Sequence, residues 1–452
     1  MPNIYDDDAV IKSLCENLKK NSVIDPGFYE KYHVKRGLRN SDGSGVPAGI
    51  TKVCSVHGYM MDDCEKLSIE GELFFRGYSI VDCIENVEKE DRFGYEEIVF
   101  LLLFGRLPKQ FELDNFTQYL AERRELPPDF QVGSIIRSPS KNIMNKLSRC
   151  VLSLYSSEED PDNTTIEDEM HIALGLIARI PVLISEAYQA KKYKYDNQTM
   201  YFHPLRKDEN TAQTILSLTR SDREYTKKEA QLLDTLLMLQ AEHGGGNNST
   251  FTCRVLTSSG TDAFSAYSGA INSLKGPRHG GANIKVINML DDIEAHVKNW
   301  EDTGEVADYL TKMLKKEAGD RSGLIYGMGH AVYTLSDPRA KIIKRRAFEL
   351  SKGREIEKEF KLLSLIEELT PQLMKSVKGI DKDICANVDL YSGLVYRMLG
   401  IPEELFTPLF ATARIAGWAA HRMEEIMTGK RIIRPAYKVV EKRRAYKPID
   451  ER

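Results

Sequence analysis

The seven cysteines of this 452-residue chain contain no Cys-X-X-Cys pair, and its nine histidines show neither HExxH nor helical i, i+4 spacing. Those absences exclude the usual zinc frames and a disulfide scaffold. An odd, scattered set of thiols fits a reducing compartment, so a cytoplasmic setting is expected. The chain also lacks GxxxxGK followed by Ser or Thr, and it lacks GxSxG. Neither a phosphate-cradling P-loop nor a serine-hydrolase elbow is therefore expected. Long apolar runs are missing too. The two most apolar stretches, residues 98–104 and 172–184, are too short to span a bilayer, and the second contains Arg179 and Pro181. Charge of one sign is not in excess. With 63 Lys and Arg against 67 Asp and Glu the net charge is −4, which gives no general pull toward nucleic acid or an anionic membrane. The opening MPNIYDDDAV is acidic, unlike a secretory signal or an Arg-rich transit peptide.

What is present is ordinary for a large globular protein, 42% hydrophobic and 29% charged, with length enough for two or more domains. Residues 1–45 read as a polar, weakly structured arm. The clearest strand signal follows, as 66–69 and 72–76 flank Glu70-Gly71, which reads as a hairpin turn. Helical periodicity dominates from there. Residues 95–104 form an apolar helix, and 156–165 form a polar loop leading into another. Thr226 and Glu229 make a capping-box pattern ahead of a leucine-rich run that ends just before His243. Segments 262–274 and 403–426 are rich in Ala, Gly and Ser, as suits helices packed closely in a core or a subunit interface. The basic runs at 341–346 and 442–444 read as solvated helix faces. The class is predominantly α.

Three of the histidines sit against glycines: His243-Gly-Gly-Gly, Pro-Arg-His279-Gly-Gly and Gly-Met-Gly-His330. Glycine beside a functional group lets backbone amides approach a ligand and permits unusual dihedrals. Three such places point to a catalytic or ligand-binding cluster.

Longer segments around these histidines resemble the citrate synthase family. Gly276–Asn283 is similar to its GPxHGxAN segment. Gly327-Met328-Gly329-His330-Ala331-Val332 through Asp337-Pro338-Arg339 is similar to GxGHxV…DPR. Asn387-Val388-Asp389-Leu390-Tyr391-Ser392-Gly393 is similar to NVDxxSG. His243 with Asn247, Ser249, Thr250 and Phe251, the stretch Arg76–Ile80, and Arg414 and Arg434-Pro435 also fall in the family's order. The chain departs from the pattern at Gly244-Gly245-Gly246, where Glu commonly follows the histidine. It departs again at Met328, often aromatic, and at Thr334, often basic and suited to a CoA phosphate.

The resemblance implies an all-α, two-domain helical fold with a small N-terminal β-hairpin region. It places a mobile small domain at 276–390, a large domain at 46–275 and 391–452, and the arm at 1–45. It implies citrate synthesis from acetyl-CoA, oxaloacetate and water, with Asp389 as base, His279 as donor to the thioester oxygen and His330 as donor to the keto oxygen. His243, Arg339, Arg414 and Arg434 would hold oxaloacetate, with Arg434 reaching across a homodimer. Gly327, Met328, Gly329 and Asn387 would meet CoA. No metal or cofactor is implied, and no nucleic-acid or membrane partner. Propionyl-CoA in a 2-methylcitrate synthase is the near alternative, because one methylene changes selectivity little. A non-catalytic CoA- or nucleic-acid-binding member of the fold is the alternative of another class.

Overall fold

The computed structural model describes residues 7–40, 43–62 and 65–451. The chain divides into two compact units, Met1–Ala48 with Arg434–Arg452, and Gly49–Ile433.

In the first unit the expected weakly structured arm carries helices α1 (Asp7–Ser22) and α2 (Gly27–Lys31). Arm and tail meet where the Lys438 ammonium lies 5.1 Å from the centre of the Tyr32 ring.

The second unit begins with a three-stranded antiparallel sheet of β1 (Cys54–Asp62), β2 (Glu65–Phe75) and β3 (Tyr78–Ser79), in that order. The expected turn at Glu70-Gly71 is not there. Strand β2 continues through it, with a shift of register between the His57–Glu72 and Tyr59–Ser68 pairs, and Asp62 pairs with Glu65. Gly71 serves packing instead. A Cβ on it would lie 2.1 Å from the Ser336 carbonyl oxygen, and one on Gly58 would lie 2.5 Å from that of Val332. Glycine inside a strand often marks such a close backbone approach as well as a turn. The 332–336 segment is clamped there, with the Gly71 amide donating to Ser336 Oγ at 3.2 Å and the Tyr333 hydroxyl donating to the Glu72 carbonyl at 3.3 Å. Gly71→Ala is therefore expected to lower stability by about 1–3 kcal/mol, as overpacking does, measured by denaturant titration. An unchanged midpoint would mean that the hairpin yields.

Helices follow in order: α3 (Ile80–Lys89), α4 (Tyr95–Phe104), α5 (Gln110–Glu122), α6 (Ile143–Leu154) and α7 (Ile166–Asp196). Then come α8 (Thr211–Thr219), α9 (Lys227–Gln240), α10 (Asn248–Ser258), α11 (Ala263–Leu274) and α12 (Ala282–His296). The last are α13 (Thr303–Leu314), α14 (Pro338–Ser351), α15 (Glu357–Lys378), α16 (Asp389–Met398) and α17 (Phe406–Thr428). The fold is mainly helical, as expected. Helix α4 is buried almost throughout and stops at Gly105, which takes a left-handed φ of 76°. Helix α9 has the expected capping box, with the Thr226 and Glu229 side chains each accepting from the other's backbone amide.

Helix α7 is longer than its apolar run. Its 31 residues pass the length and composition test for a membrane span, yet 72% of its most apolar window is buried inside the protein. It packs on α17, and the buried pair Arg422–Glu169 joins the two.

Helix α17 is the axis on which the site is built. It is buried from Phe406 to Glu425. Its small residues allow the expected close approach, since a Cβ on Gly417 would lie 2.5 Å from the Ala241 carbonyl oxygen at the end of α9. The basic run of α14 faces solvent as expected at Lys341 and Arg345 and is half-buried at Lys344 and Arg346, and all four side chains are ion-paired. Lys341 pairs with Glu70 at 2.6 Å, Lys344 with Glu367 at 2.7 Å, and Arg345 and Arg346 both with Glu88.

Candidate active site

Six of the seven catalytic and oxaloacetate residues expected from sequence lie in the second unit. Six elements supply them: the turn after α9 (His243), the turn before α12 (His279), the 327–337 loop (His330), and the starts or middles of α14 (Arg339), α16 (Asp389) and α17 (Arg414). Arg434 is exposed and belongs to the first unit.

The loop carrying His330 and the segment leading to Asp389 are tied as a short ladder. The Asn387 amide donates to the Gly327 carbonyl at 2.8 Å, the Gly329 amide donates to that of Cys385 at 2.7 Å, and Met328 bridges Ala386. Asn387 Nδ2 also donates to the Gly329 carbonyl at 2.8 Å, and Asn387 Oδ1 accepts from the Asp389 amide at 2.9 Å. Gly327 and Gly329 adopt φ of 82° and 88°, a region that disfavours side chains. A Cβ on Gly327 would also strike Leu390 at 2.8 Å. The four positions expected to meet CoA thus fix where His330 and Asp389 sit.

Histidines 243 and 330 meet edge to face, with ring centres 5.1 Å apart. Tyr333 stacks on His330 at 4.7 Å and touches His243 at 5.6 Å. The Val332 and Tyr333 amides both donate to His330 Nδ1 at 3.1 Å. That acceptor role assigns the neutral ring's proton to Nε2. His243 Nε2 is buried without a partner. Burial, reinforced by Arg339, His330 and Arg414, holds His243 well below the usual imidazole range, so it is neutral at pH 7.

Burial, and then Arg414, brings His279 down to about 4, so it too is neutral. Its Nε2 lies 3.1 Å from Ser249 Oγ. Trp418 Nε1 donates to the same oxygen at 3.2 Å, and Asn247 Oδ1 lies 2.9 Å away. Indole can only donate, so the single hydroxyl proton has two acceptors to choose from. Given to His279 Nε2, it leaves the imidazole proton on Nδ1.

Asp389 opens α16 half-buried, and partial removal from water pushes its carboxyl up to about 6. Arg339 and Arg414 oppose that rise and Asp337 adds to it. Arg339 is itself held by Asp337, through Nε at 3.0 Å and Nη2 at 2.7 Å. Asp337 also caps the Arg339 amide and accepts from the Val388 amide at 3.2 Å, joining the α14 and α16 starts. Arg414 donates through Nε to the Gln240 carbonyl at 2.7 Å, and its two terminal nitrogens are buried without partners. Burial lowers it to about 10, against the influence of Glu242.

Sequence reasoning took Arg339 from the DPR segment and passed over Asp337, although the two act as a pair. It also passed over Glu242, beside His243, and Tyr333, beside His330. Adjacency to a chosen residue was the only available signal. Among the described residues no group of three or more His, Cys, Asp or Glu is placed to hold a metal ion.

The arrangement combines a carboxylate of raised pKa, neutral imidazoles and two buried guanidiniums in one place. Such a site can exchange a proton with a weak acid while donating to oxygen and holding an anion. Known proteins carry the same fold and order of segments. Residues 41–436 match the family described as citrate synthase, C-terminal domain. The citrate synthase of Corynebacterium glutamicum is 32% identical over 370 residues, 81% of this chain and 79% of that one. That of Haloferax volcanii is 32% identical over 389 residues, 84% of this chain and 93% of that one. A solved structure of citrate synthase from Thermotoga maritima superposes with a TM-score of 0.71 at 29% identity, over 90% of this chain and 98% of the other. The ternary complex of carboxymethyl coenzyme A and oxaloacetate with citrate synthase from Thermoplasma acidophilum gives 0.74 at 27% identity, over 93% and 99%. With the family pattern spanning most of its length and a helical fold shared with solved members, the chain belongs to the citrate synthase family of Claisen-type acyltransferases.

Proposed function

We propose that this protein condenses acetyl-CoA with oxaloacetate and water to give citrate and CoA. The observation that carries the reading is the half-buried Asp389 carboxyl, raised to about 6, in a site with neutral imidazoles and the two buried guanidiniums of Arg339 and Arg414. A thioester methyl group is a far weaker acid than any carboxyl. Asp389 takes its proton while His279 donates to the thioester oxygen as charge forms there, so the intermediate is an enol or a strongly hydrogen-bonded enolate. The new nucleophilic carbon attacks the keto carbon of oxaloacetate, and His330 Nε2–H stabilises the alkoxide. Water then cleaves the citryl thioester and CoA leaves with the thiol proton.

Arg339, Arg414 and Arg434 hold the two substrate carboxylates, with His243 donating a further hydrogen bond. Planar guanidiniums suit that task because they pair with a carboxylate through two parallel bonds. In a homodimer, Arg434 is supplied by the other subunit. The acyl-CoA runs along the 327–329 and 385–387 ladder toward an open cavity of about 450 Å³ lined by Thr334, Leu335, Lys375, Lys382 and Ile384. Two lysines in that lining offset the missing base at Thr334. The small domain, 276–390, closes on 46–275 and 391–452 after oxaloacetate binds and keeps water from the thioester. The six cysteines among the described residues are free thiols, which supports a cytoplasmic setting.

A thiol-release assay with oxaloacetate tests the reading. Acetyl-CoA is expected to give a kcat/KM about tenfold or more above that of propionyl-CoA, within the range one methylene allows. Preference for propionyl-CoA would make the protein a 2-methylcitrate synthase, and no thiol release from either would sink the proposal.

A further inference from the structure

Glu242 takes no part in the scheme above, yet it stands beside His243 with its side chain fully buried. His421 Nε2 lies 3.1 Å from Glu242 Oε1, and Oε2 has no partner. Room for the carboxylate exists because residue 417, one turn beyond Arg414, is glycine. A Cβ there would lie 2.1 Å from Oε2. On the far side, Arg254 Nε and Nη2 reach His421 Nδ1 at 3.1 and 2.9 Å, which assigns the histidine's proton to Nε2 and its donation to Glu242. Arg254 is in turn held by Glu424 and by Glu425, the latter at 2.8 Å. Glu424 also accepts from the Lys52 amide at 2.7 Å.

Charge in this cluster is divided unevenly. Arg254 has two carboxylates of its own and Arg339 has Asp337. Arg414 has no carboxylate in hydrogen-bond contact, and its two terminal nitrogens are unpartnered. The carboxylate that acts on it most strongly is Glu242, itself left with an unpartnered oxygen. A buried guanidinium with no anion near it is strongly unfavourable.

We propose that Glu242 is a positioning residue, the resident counter-ion of Arg414 in the empty pocket, whose role a substrate carboxylate takes over on binding. This rests on the assignment of Arg414 to oxaloacetate. Glu242 keeps Arg414 charged and in place before substrate arrives. It also makes the pocket less positive, which weakens binding of the dianionic substrate and, more strongly, of the trianionic product.

Glu242→Gln is nearly isosteric and removes the charge. By calorimetry its oxaloacetate Kd is expected to fall about tenfold, as for loss of a buried like charge near the ligand. Inhibition by citrate should strengthen, and kcat and KM for oxaloacetate should fall together as product release slows. The empty variant should melt at a lower temperature than the unaltered protein but gain more from saturating oxaloacetate. Glu242→Asp should stay close to the unaltered protein in both measurements. A merely structural role would weaken oxaloacetate binding instead, so an unchanged or raised Kd in the folded Gln variant overturns the proposal.

Should Glu242→Gln fold poorly, the double variant Glu242→Gln/Arg414→Gln decides the matter. Counter-ions removed together should melt above the Glu242→Gln single variant, whereas additive losses overturn the pairing. If the unaltered protein does not bind oxaloacetate, the reading of the pocket fails. The melting cycle still tests the pair in that case.

Discussion

Asp389→Asn is expected to cut kcat by about a thousandfold, the scale on which a positioned general base contributes, while oxaloacetate Kd stays within a few-fold. The amide fills the same volume at the start of α16, so the Asn387 contact to residue 389's own backbone amide is kept. What is lost is the acceptor for the methyl proton. The unaltered enzyme provides a second check on the same group. Its base works as a carboxylate, and burial raises that carboxyl to about 6. As pH falls through 6 the base becomes protonated, so turnover should decline on the acid side with that midpoint. His279, at about 4, stays neutral over the same interval and contributes no limb there. Near-normal turnover in Asp389→Asn would remove the assignment, and loss of oxaloacetate binding along with turnover would indicate misfolding.

Mixing two inactive variants is expected to restore activity. Arg434→Ala and His279→Ala should each inactivate the homodimer, and the two are unfolded and refolded together. If Arg434 serves the partner's pocket, a mixed dimer has one complete site, with His279 from one chain and Arg434 from the other. Random pairing makes half the dimers mixed, so about a quarter of the original activity should return. Arg434 is exposed and lies in the Arg434–Arg452 tail that groups with the N-terminal arm, while His279 lies in the other unit. If Arg434 serves its own chain, every site in the mixture lacks one group. Failure to recover, with mixed dimers verified by native mass spectrometry, would rule out donation across the interface.

Local chemistry made much of this protein legible from its sequence. The Thr226–Glu229 cap, the apolar helix ending at Gly105 and the loop before α7 are each written in a few adjacent residues. The helical class follows from their periodicity. Three histidines flanked by glycines marked the neighbourhood of the site, because a glycine beside a functional group signals close backbone approach. The hairpin misled for the same reason. Glu70-Gly71 looks like a turn, but the close approach is to Ser336, 265 positions away, which no local pattern records.

The sequence by itself determined that this is a helical enzyme of the citrate synthase family and which of its histidines, arginines and carboxylates deserved suspicion. Only the tertiary structure decided their charge states and partners. Glu242 and Arg414 come together because α17 and α9 touch through Gly417, Ser249 and Trp418 meet around His279, and the paired 327–329 and 385–387 segments lead into the Val388 amide that meets Asp337. Burial then raises Asp389 and lowers His279, and burial is a property of the packed core that no residue carries alone. The sequence names the groups, and packing removes the water that would otherwise have left them with ordinary pKa values.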